Sequence, residues 1–350
     1  MARLGAVCAR LPKAFSVFWG LECPLGTERA EADVLVEIRR DTSRHALLAG
    51  DTPSAIDPLC EAVPAWAALR RFAQRWRARD DERRELVRNV WIEFDLIAAA
   101  QASPPLDALT RPSVFWGPHE IGPNDWQRFV DFTDYVRESF TPFPDRLPLA
   151  GLERAVRSLP DGARVFQVGA MQLRGDVRLR LCVNSLPLSA MAGWLAAQQW
   201  SGDADSLLEA LTALAPHVRK AALDVDYTAG GIGPKIGLEC YQEWQQLNTD
   251  QWQPLLNHTH ALGLCAPSRR DAVTLFPAKT EYSLRHQYDH PEDGHFFPVV
   301  YRNIHHVKLS FVGAGFRDAK AYLGVTRPGV RVGFPLREVP DGDADEWLSR

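Results

Sequence analysis

Lysine is scarce in this 350-residue chain: six of its 40 basic residues are lysines, and the others are arginines. The formal net charge of −4 gives no general attraction to nucleic acid or to an anionic membrane, so we expect neither as a partner. Because lysine is rare, each lysine on a predicted strand is a candidate functional residue. Lys235, Lys308 and Lys320 meet that condition.

Long apolar runs and paired cysteines are also missing. No stretch reaches the roughly 18 consecutive apolar residues of a membrane span, and Arg10 and Lys13 interrupt the first segment before a signal-peptide core can form. The six cysteines are scattered without Cys-x-x-Cys spacing, which indicates reduced thiols in a chain of this length. We expect a cytoplasmic protein that does not contact a membrane.

What the chain does contain is a repeated order of two strands followed by helices. Alternating apolar and polar residues predict five hairpins: 15–22 with 33–39, 88–96 with 113–119, 164–173 with 176–184, 221–227 with 235–241, and the two arms of 304–326. Helical spacing predicts helices between them, at 57–79 (broken by Pro64), 124–140, 149–158, 189–200, 203–215, 242–262 and 268–275.

This order predicts an α+β fold. Hairpin strands pair antiparallel, whereas a doubly wound α/β fold needs parallel strands. Ten antiparallel strands in one sheet can close into a β-barrel, which removes the sheet edges and leaves the helices outside. Residues 1–327 would then form a single barrel domain and 328–350 a C-terminal tail. Two α+β domains that divide near residue 148 are the alternative.

In a closed barrel, strand parity places one set of side chains in the lumen. A wet cavity for a charged ligand suits this set, because dry burial of unpaired charge costs several kcal/mol. An open sheet with a merely solvated polar face is the alternative. The predicted inward set is Trp91, Glu93, Asp95, Gln167, Gly169, Met171, Arg178, Arg180, Cys182, Asn184, Asp224, Asp226, Lys235, Gly237, Glu239, Tyr241, His306, Lys308, Ser310, Lys320 and Tyr322.

Cations and tyrosines recur at alternate positions in this set, in Lys320-Ala-Tyr322, Arg178-Leu-Arg180-Leu-Cys182 and Lys235-Ile-Gly-Leu-Glu239-Cys-Tyr241. These segments resemble the Lys-x-Tyr and Arg-x-Lys-x-Tyr motifs of the ABBA, or PT-barrel, aromatic prenyltransferases, although Cys182 stands where the longer motif has tyrosine. The resemblance covers about residues 14–327 as architecture. It implies repeated α-β-β-α units around a ten-stranded antiparallel barrel.

The resemblance also implies a function in secondary metabolism: metal-independent transfer of an isoprenyl group from its diphosphate to an aromatic, amino-acid or peptide acceptor. Glu93 would orient or deprotonate the acceptor. The diphosphate would be held by Arg178, Arg180, Lys235, Lys308 and Lys320. Tyr241, Tyr322 and Trp91 would shield the allyl cation. The carboxylates Asp95, Asp224 and Asp226 are more than this chemistry requires, and we expect them, together with Glu239, to face the acceptor. No cofactor is implied; Mg²⁺ is compatible with this chemistry but not required.

A metal site is not predicted. His286, His290, His295, His305 and His306 lie near Asp289, Glu292 and Asp293, but their spacing matches no known ligand pattern and favours a charged surface loop. Trp91 and Trp116 are candidates for a pocket wall. Two other functions stay open: a non-catalytic module that binds a peptide or partner on a flat polar face, and another transferase with a carboxylate-rich lumen.

Overall fold

The computed structural model describes residues 2–12, 15–16, 18–101, 107–119, 121–141, 143–144, 148–171, 178–228, 231–243, 249–281, 295–326 and 329–332. The strands described are β1 (Phe18–Pro24), β2 (Asp33–Arg39), β3 (Val87–Phe94), β4 (Ser113–Pro118), β5 (Arg164–Met171), β6 (Arg178–Asn184), β7 (Lys220–Thr228), β8 (Gly231–Tyr241), β9 (Ala278–Glu281), β10 (His295–Val312), β11 (Gly315–Thr326) and β12 (Gly329–Val332). The α-helices described are α1 (Ala2–Arg10), α2 (Ser43–Ala49), α3 (Asp57–Ala62), α4 (Pro64–Arg77), α5 (Leu96–Gln101), α6 (Trp126–Ser139), α7 (Leu149–Arg157), α8 (Leu188–Ala197), α9 (Ala204–Leu214), α10 (Gln253–Ala261) and α11 (Pro267–Thr274).

Ten of these strands close into one antiparallel barrel. They pair in the order β11-β1-β2-β3-β4-β5-β6-β7-β8-β10, and β10 pairs again with β11. Leu21 lies opposite Leu323 where β1 meets β11, and Leu309 lies opposite Ala319 where β10 meets β11. Each of these ten strands therefore has a partner on both sides, so the barrel they form has no open edge. The predicted α+β barrel is confirmed.

Alternation along each strand separates an apolar outer layer from a polar lumen. On β7, Leu223 and Val225 are fully buried in the layer between sheet and helices, whereas Asp224 between them faces inward. Helix α4 contributes Trp66 and Phe72 to the same layer. Burial of one large apolar side chain contributes about 1.5–3 kcal/mol, so this continuous layer holds the helices against the closed sheet.

The sheet continues without interruption across residue 148. Phe115 of β4 lies opposite Gly169 of β5, so the strands do not divide into two separate sheets there, and the alternative of two domains is wrong. Strand β12 lies inside the segment predicted to be a tail and pairs with the first residues of β10. Residues 333–350 of that segment lie outside the described part of the chain.

Some predicted boundaries were wrong. Strand β1 begins at Phe18 rather than residue 15, and β10 begins at His295 rather than residue 304. Strands β9 and β12 were not predicted, and both pair with the early part of β10. Of the predicted helix 242–262, residues 253–261 are α-helical, and 244–248 lie outside the described residues. Among the described helices, none is long and apolar enough to span a bilayer.

Candidate active site

The barrel encloses a cavity of about 430 Å³, within the size range of small-molecule sites. Glu93 and Arg180, which parity predicted to point into the lumen, both line it. The cavity confirms the lumen position of a large part of the predicted inward set: Trp91, Glu93, Gln167, Arg180, Cys182, Asn184, Asp224, Glu239, Tyr241, His306, Lys308 and Tyr322.

Four of the predicted site residues lie beside the cavity rather than on its lining. Lys235 has a side chain that is 44% exposed and pairs with Asp318 at 3.1 Å. Asp95 is buried and accepts a hydrogen bond from Ser113. Asp226 and Lys320 are held in ion pairs with other lumen residues. The side chain of Arg178 lies outside the described residues, so its predicted position is untested.

Arg180 forms a bidentate ion pair with Asp226, its cross-strand partner on β7. Its Nε donates to Oδ1 at 2.7 Å and its Nη2 to Oδ2 at 3.1 Å. Both side chains are nine-tenths buried. Burial opposes the charge on Arg180, but Asp226 and Asp224 raise the pKa of its guanidinium well above the ordinary value. The two guanidinium N–H groups of Arg180 that could bind a diphosphate in a bidentate manner already donate to the Asp226 carboxylate.

Lys308 is paired as well. Its Nζ donates to Asp224 and lies 3.7 Å from Glu239. Glu239 accepts a 2.5 Å hydrogen bond from the Tyr241 hydroxyl. Burial and the neighbouring Asp224 raise the pKa of Glu239 to about 7, so this carboxyl can hold or release a proton near neutral pH.

Glu22 on β1 is a lumen carboxylate that the sequence prediction missed. It lies opposite Tyr322 and accepts hydrogen bonds from both Lys320 and the Tyr322 hydroxyl. Burial alone would raise its pKa, but Lys320 and Lys308 hold the pKa of Glu22 at about 2. Parity would have placed Glu22 in the lumen beside Phe18, since the two residues are four positions apart on one strand.

Two adjacent histidines both face the lumen. A β-bulge between Ile304 and His306 places His305 outside the regular alternation. The two Nδ1 atoms are 2.7 Å apart, and the His306 ring stacks on Tyr322 with centroids separated by 4.0 Å. Burial lowers the pKa of both imidazoles, so both are neutral at physiological pH. His306 therefore lies in the lumen as strand parity predicted, whereas the assignment of His305 to a surface loop was wrong.

An apolar wall lines another part of the lumen. Phe18, Trp91, Phe115 and Met171 form a buried cluster that is separate from the outer core, and Leu35 packs against it. Phe18 meets Trp91 edge to face at a centroid distance of 5.3 Å. Trp116 instead faces the outer helices, so its prediction as a pocket wall was wrong; its neighbour Phe115 pairs with Trp91 and takes that place.

The barrel can be compared with known proteins. No family model matches the sequence, and no curated protein matches it. Solved structures do match: AnaPT from Neosartorya fischeri has a TM-score of 0.51 at 13% identity, over 94% of this chain and 84% of that one. Prenyltransferase PriB gives 0.48 at 12% identity, over 91% and 83%. 5-Dimethylallyltryptophan synthase from Streptomyces coelicolor gives 0.42 at 15%, over 90% and 83%. These matches are ABBA-type aromatic prenyltransferases. The chain has the PT-barrel fold. At such identities the likeness extends to the fold alone.

One end of this PT barrel carries four basic residues that the sequence prediction missed; we call them the basic mouth. They are Arg39, Arg88, Arg164 and Lys220, and all four line the cavity. Arg39 ends β2, Arg164 begins β5 and Lys220 begins β7, so the antiparallel order brings them to the same end. Arg88 lies at a register shift near the start of β3, which breaks the parity rule there.

Glu37 lies next to the basic mouth. It is fully buried, accepts a hydrogen bond from Asn89 at 2.8 Å and pairs with Arg39 at 3.2 Å. Burial raises the pKa of Glu37 to about 7 despite Arg39. At the same end, burial and then Arg88, Arg40 and Arg128 lower the pKa of His119. Among the described residues, no group of three or more His, Cys, Asp or Glu side chains is arranged to hold a metal ion.

Proposed function

We propose that this protein transfers an isoprenyl group from an isoprenyl diphosphate to an aromatic, amino-acid or peptide acceptor inside the barrel. The observation that carries the proposal is the enclosed lumen of a PT barrel, in which an aromatic wall and the carboxylate Glu93 line one cavity. A cavity inside a barrel limits the access of water, and an allyl cation must be kept from water until the acceptor captures it.

The chemistry needs three groups. The bond between the isoprenyl C1 and the diphosphate oxygen breaks, and the diphosphate leaves with the electron pair. Phe18, Trp91 and Tyr322 supply ring faces for the cation at C1, since aromatic faces attract cations. The acceptor then forms a bond to C1 and loses a proton, for which Glu93 is the proposed base. Protein cations neutralise the leaving group in this scheme, so a divalent metal is not required.

The acceptor class follows from the carboxylates of the lumen. Asp224 and Glu239 line the cavity beside Glu93, while Asp95 and Asp226 lie just behind the lining. Carboxylates accept hydrogen bonds and do not donate them when ionised. We therefore propose an acceptor that donates hydrogen bonds or carries positive charge, such as an indole, a phenol, an amine or a guanidine. A cytoplasmic location and a role in secondary metabolism stay predictions.

The test is turnover with dimethylallyl and geranyl diphosphate against a panel of tryptophan, tyrosine, arginine and short peptides containing them, with EDTA or with Mg²⁺. Mass spectrometry should detect an isoprenylated product in at least one combination, including with EDTA. Glu93→Gln should lower turnover about 10²–10⁴-fold if Glu93 takes the proton. Glu153→Gln, a change at a carboxylate half-exposed on α7, is the matched control and should turn over normally.

Two results would overturn the proposal. One is the absence of product across the panel together with no binding of a non-hydrolysable isoprenyl thiolodiphosphate. The other is isoprenyl transfer that Glu93→Gln and Glu153→Gln support equally, which would remove Glu93 from the mechanism. A partner-binding module on a flat polar face is disfavoured, because the polar strand faces line an enclosed cavity instead.

A further inference from the structure

A pair of histidines joins the aromatic wall of the lumen to its tyrosines. The His305 ring meets Phe18 edge to face at a centroid distance of 5.4 Å, and Phe18 in turn meets Trp91. The His306 ring lies 5.0 Å from His305 and stacks on Tyr322 at 4.0 Å. All five side chains line the cavity. They therefore form one continuous series of ring contacts along the lumen.

The β-bulge in β10 is what places both imidazoles in this series. Adjacent residues of a regular strand point to opposite faces, whereas the bulge between Ile304 and His306 leaves His305 and His306 on the same cavity lining. The Tyr241 ring lies 5.8 Å from His305 and 5.1 Å from His306. His305 stays partly exposed, and His306 is 5% exposed. His305 is therefore the member of the pair that is more open to the lumen.

The tyrosines that the resemblance assigns to the allyl cation offer few free ring faces. The longer motif has tyrosine where Cys182 stands, and a thiol has no ring. The Tyr322 hydroxyl donates to Glu22, which fixes the ring, and His306 stacks against one face of it. At most one face of Tyr322 is thus left for a cation. This chain therefore has fewer tyrosine faces than the motif that it resembles.

An imidazole can face a cation only while it is neutral, because an imidazolium ion repels one. The Nδ1 atoms of His305 and His306 are 2.7 Å apart; one of them donates and the other accepts, so at least one ring is neutral. Burial lowers the pKa of His305 to about 4 and that of His306 well below the ordinary value. The charged groups beside the pair are Glu239, 3.8 Å from His306 Nε2, and Lys308, which is paired with Asp224. Both rings are therefore neutral near pH 7.

We propose that the neutral ring of His305, oriented by its Nδ1 contact with His306, forms part of the wall that shields the allyl cation. When the C1–O bond breaks, the electron pair leaves with the diphosphate, and C1 and C3 of the isoprenyl group share the positive charge. The π electrons of His305 attract that charge without forming a bond to it. The acceptor then bonds to C1 and loses its proton to Glu93. This assignment of His305 rests on the proposed function.

A stable cation tests the wall without any turnover. The probe is the 3-methylbut-2-enyl trimethylammonium ion, which carries a permanent charge next to C1 and donates no hydrogen bond. Isothermal titration calorimetry should show that His305→Leu weakens its binding about three- to ten-fold, because an aromatic face is lost. His305→Phe keeps a ring without nitrogen atoms and should bind the ion as the wild type does. The neutral 3-methylbut-2-en-1-ol should bind equally to all three proteins.

Another stacked pair of imidazoles provides the matched control. His217 and His258 stack at a centroid distance of 4.5 Å, and neither lines the cavity. His217→Leu removes a ring from the same kind of contact outside the lumen and should bind both probes as the wild type does. Isoprenyl transfer should follow the same order, with kcat about ten-fold lower in His305→Leu and little changed in His305→Phe and His217→Leu. Thermal unfolding of each variant shows that the comparison concerns folded protein.

Four results would overturn the assignment of His305. The wild type binds no ammonium ion, or His305→Leu binds the ion and transfers the isoprenyl group as well as the wild type. His305→Phe loses as much as His305→Leu, which would mean that a nitrogen atom acts rather than the ring. The intact mass of the protein after turnover shows an isoprenyl adduct on His305, which would make it a nucleophile.

The two proposals fail in different ways. If the ion binds in a manner that depends on the ring at position 305, but the protein transfers no isoprenyl group to any acceptor, the wall binds a cation and only the proposed function fails. If the protein transfers isoprenyl groups and His305→Leu does so equally well, the proposed function stands and the assignment of His305 falls.

Discussion

Glu37 provides a quantitative test of the electrostatics at the barrel mouth. Its side chain is fully buried, and its pKa is raised from the ordinary 4.5 to about 7 because burial outweighs Arg39 and Asn89. The folded protein therefore holds this proton more tightly than the unfolded chain. Stability is largest when Glu37 is protonated in both states and declines as the pH rises from 4.5 to about 7.

The size of the effect follows from linkage. One pKa unit corresponds to about 1.4 kcal/mol, so the ionised Glu37 lowers the free energy of unfolding by about 3 kcal/mol above pH 7. Glu37→Gln removes the ionisation and keeps an oxygen that can accept the hydrogen bond from Asn89. We expect the variant and the wild type to be similarly stable at pH 5. At pH 8.5 the variant should be more stable by up to about 3 kcal/mol.

Urea unfolding followed by tryptophan fluorescence at both pH values measures this difference; other titrating groups cancel in the comparison at each pH. The reasoning is refuted if the two proteins differ by the same amount at pH 5 and pH 8.5, or if the variant is the less stable one at pH 8.5.

Two further substitutions test the packing of the lumen. Arg180→Ala leaves Asp226 buried without the bidentate partner and should lower the free energy of unfolding by about 3–5 kcal/mol, and Asp226→Asn in the same chain should restore part of that loss. Equal stability of the single and double variants would contradict a structural role for the pair. Gly169→Ala adds a Cβ that overlaps the Phe115 ring and should cost about 1–3 kcal/mol in urea unfolding. Gly193→Ala on α8 is the control, because a Cβ there meets no atom within 4 Å; it should stabilise the protein by up to about 1 kcal/mol. If both alanine variants lose the same stability, the overlap between the Cβ at residue 169 and the Phe115 ring is not the cause.

Strand parity predicted much of the lumen from the sequence. Trp91, Asp224 and Tyr322 face inward because the two-residue period of a strand is fixed by its backbone. A prediction from parity includes a residue only if the predicted strand reaches it, so the strand ends must be correct as well. The predicted fourth hairpin began at residue 221, so Lys220, the first residue of β7, was left out although it shares a face with Asp224.

Irregular positions could not be predicted in this way. A β-bulge shifts the alternation by one residue, and no residue type marks the bulge at His305 in advance. Arg88 enters the cavity lining at a similar register shift in β3. His305 was assigned to a surface loop and Arg88 was left out of the inward set for the same physical reason. The local hydrogen-bond pairing that produces each irregularity depends on the neighbouring strand.

Which lumen cation pairs with which carboxylate was the property hardest to predict from the sequence. Lys320-Ala-Tyr322 has the spacing of a diphosphate motif, yet both side chains bond to Glu22, almost three hundred positions away. A motif records which residue types share a strand face, whereas the charge that an incoming anion meets depends on the strands beside it. A cation motif in a closed barrel therefore predicts an anion site only when the cross-strand neighbours carry no carboxylate. By that criterion Lys320 and Arg180 are structural ion-pair partners, because Glu22 and Asp226 lie beside them.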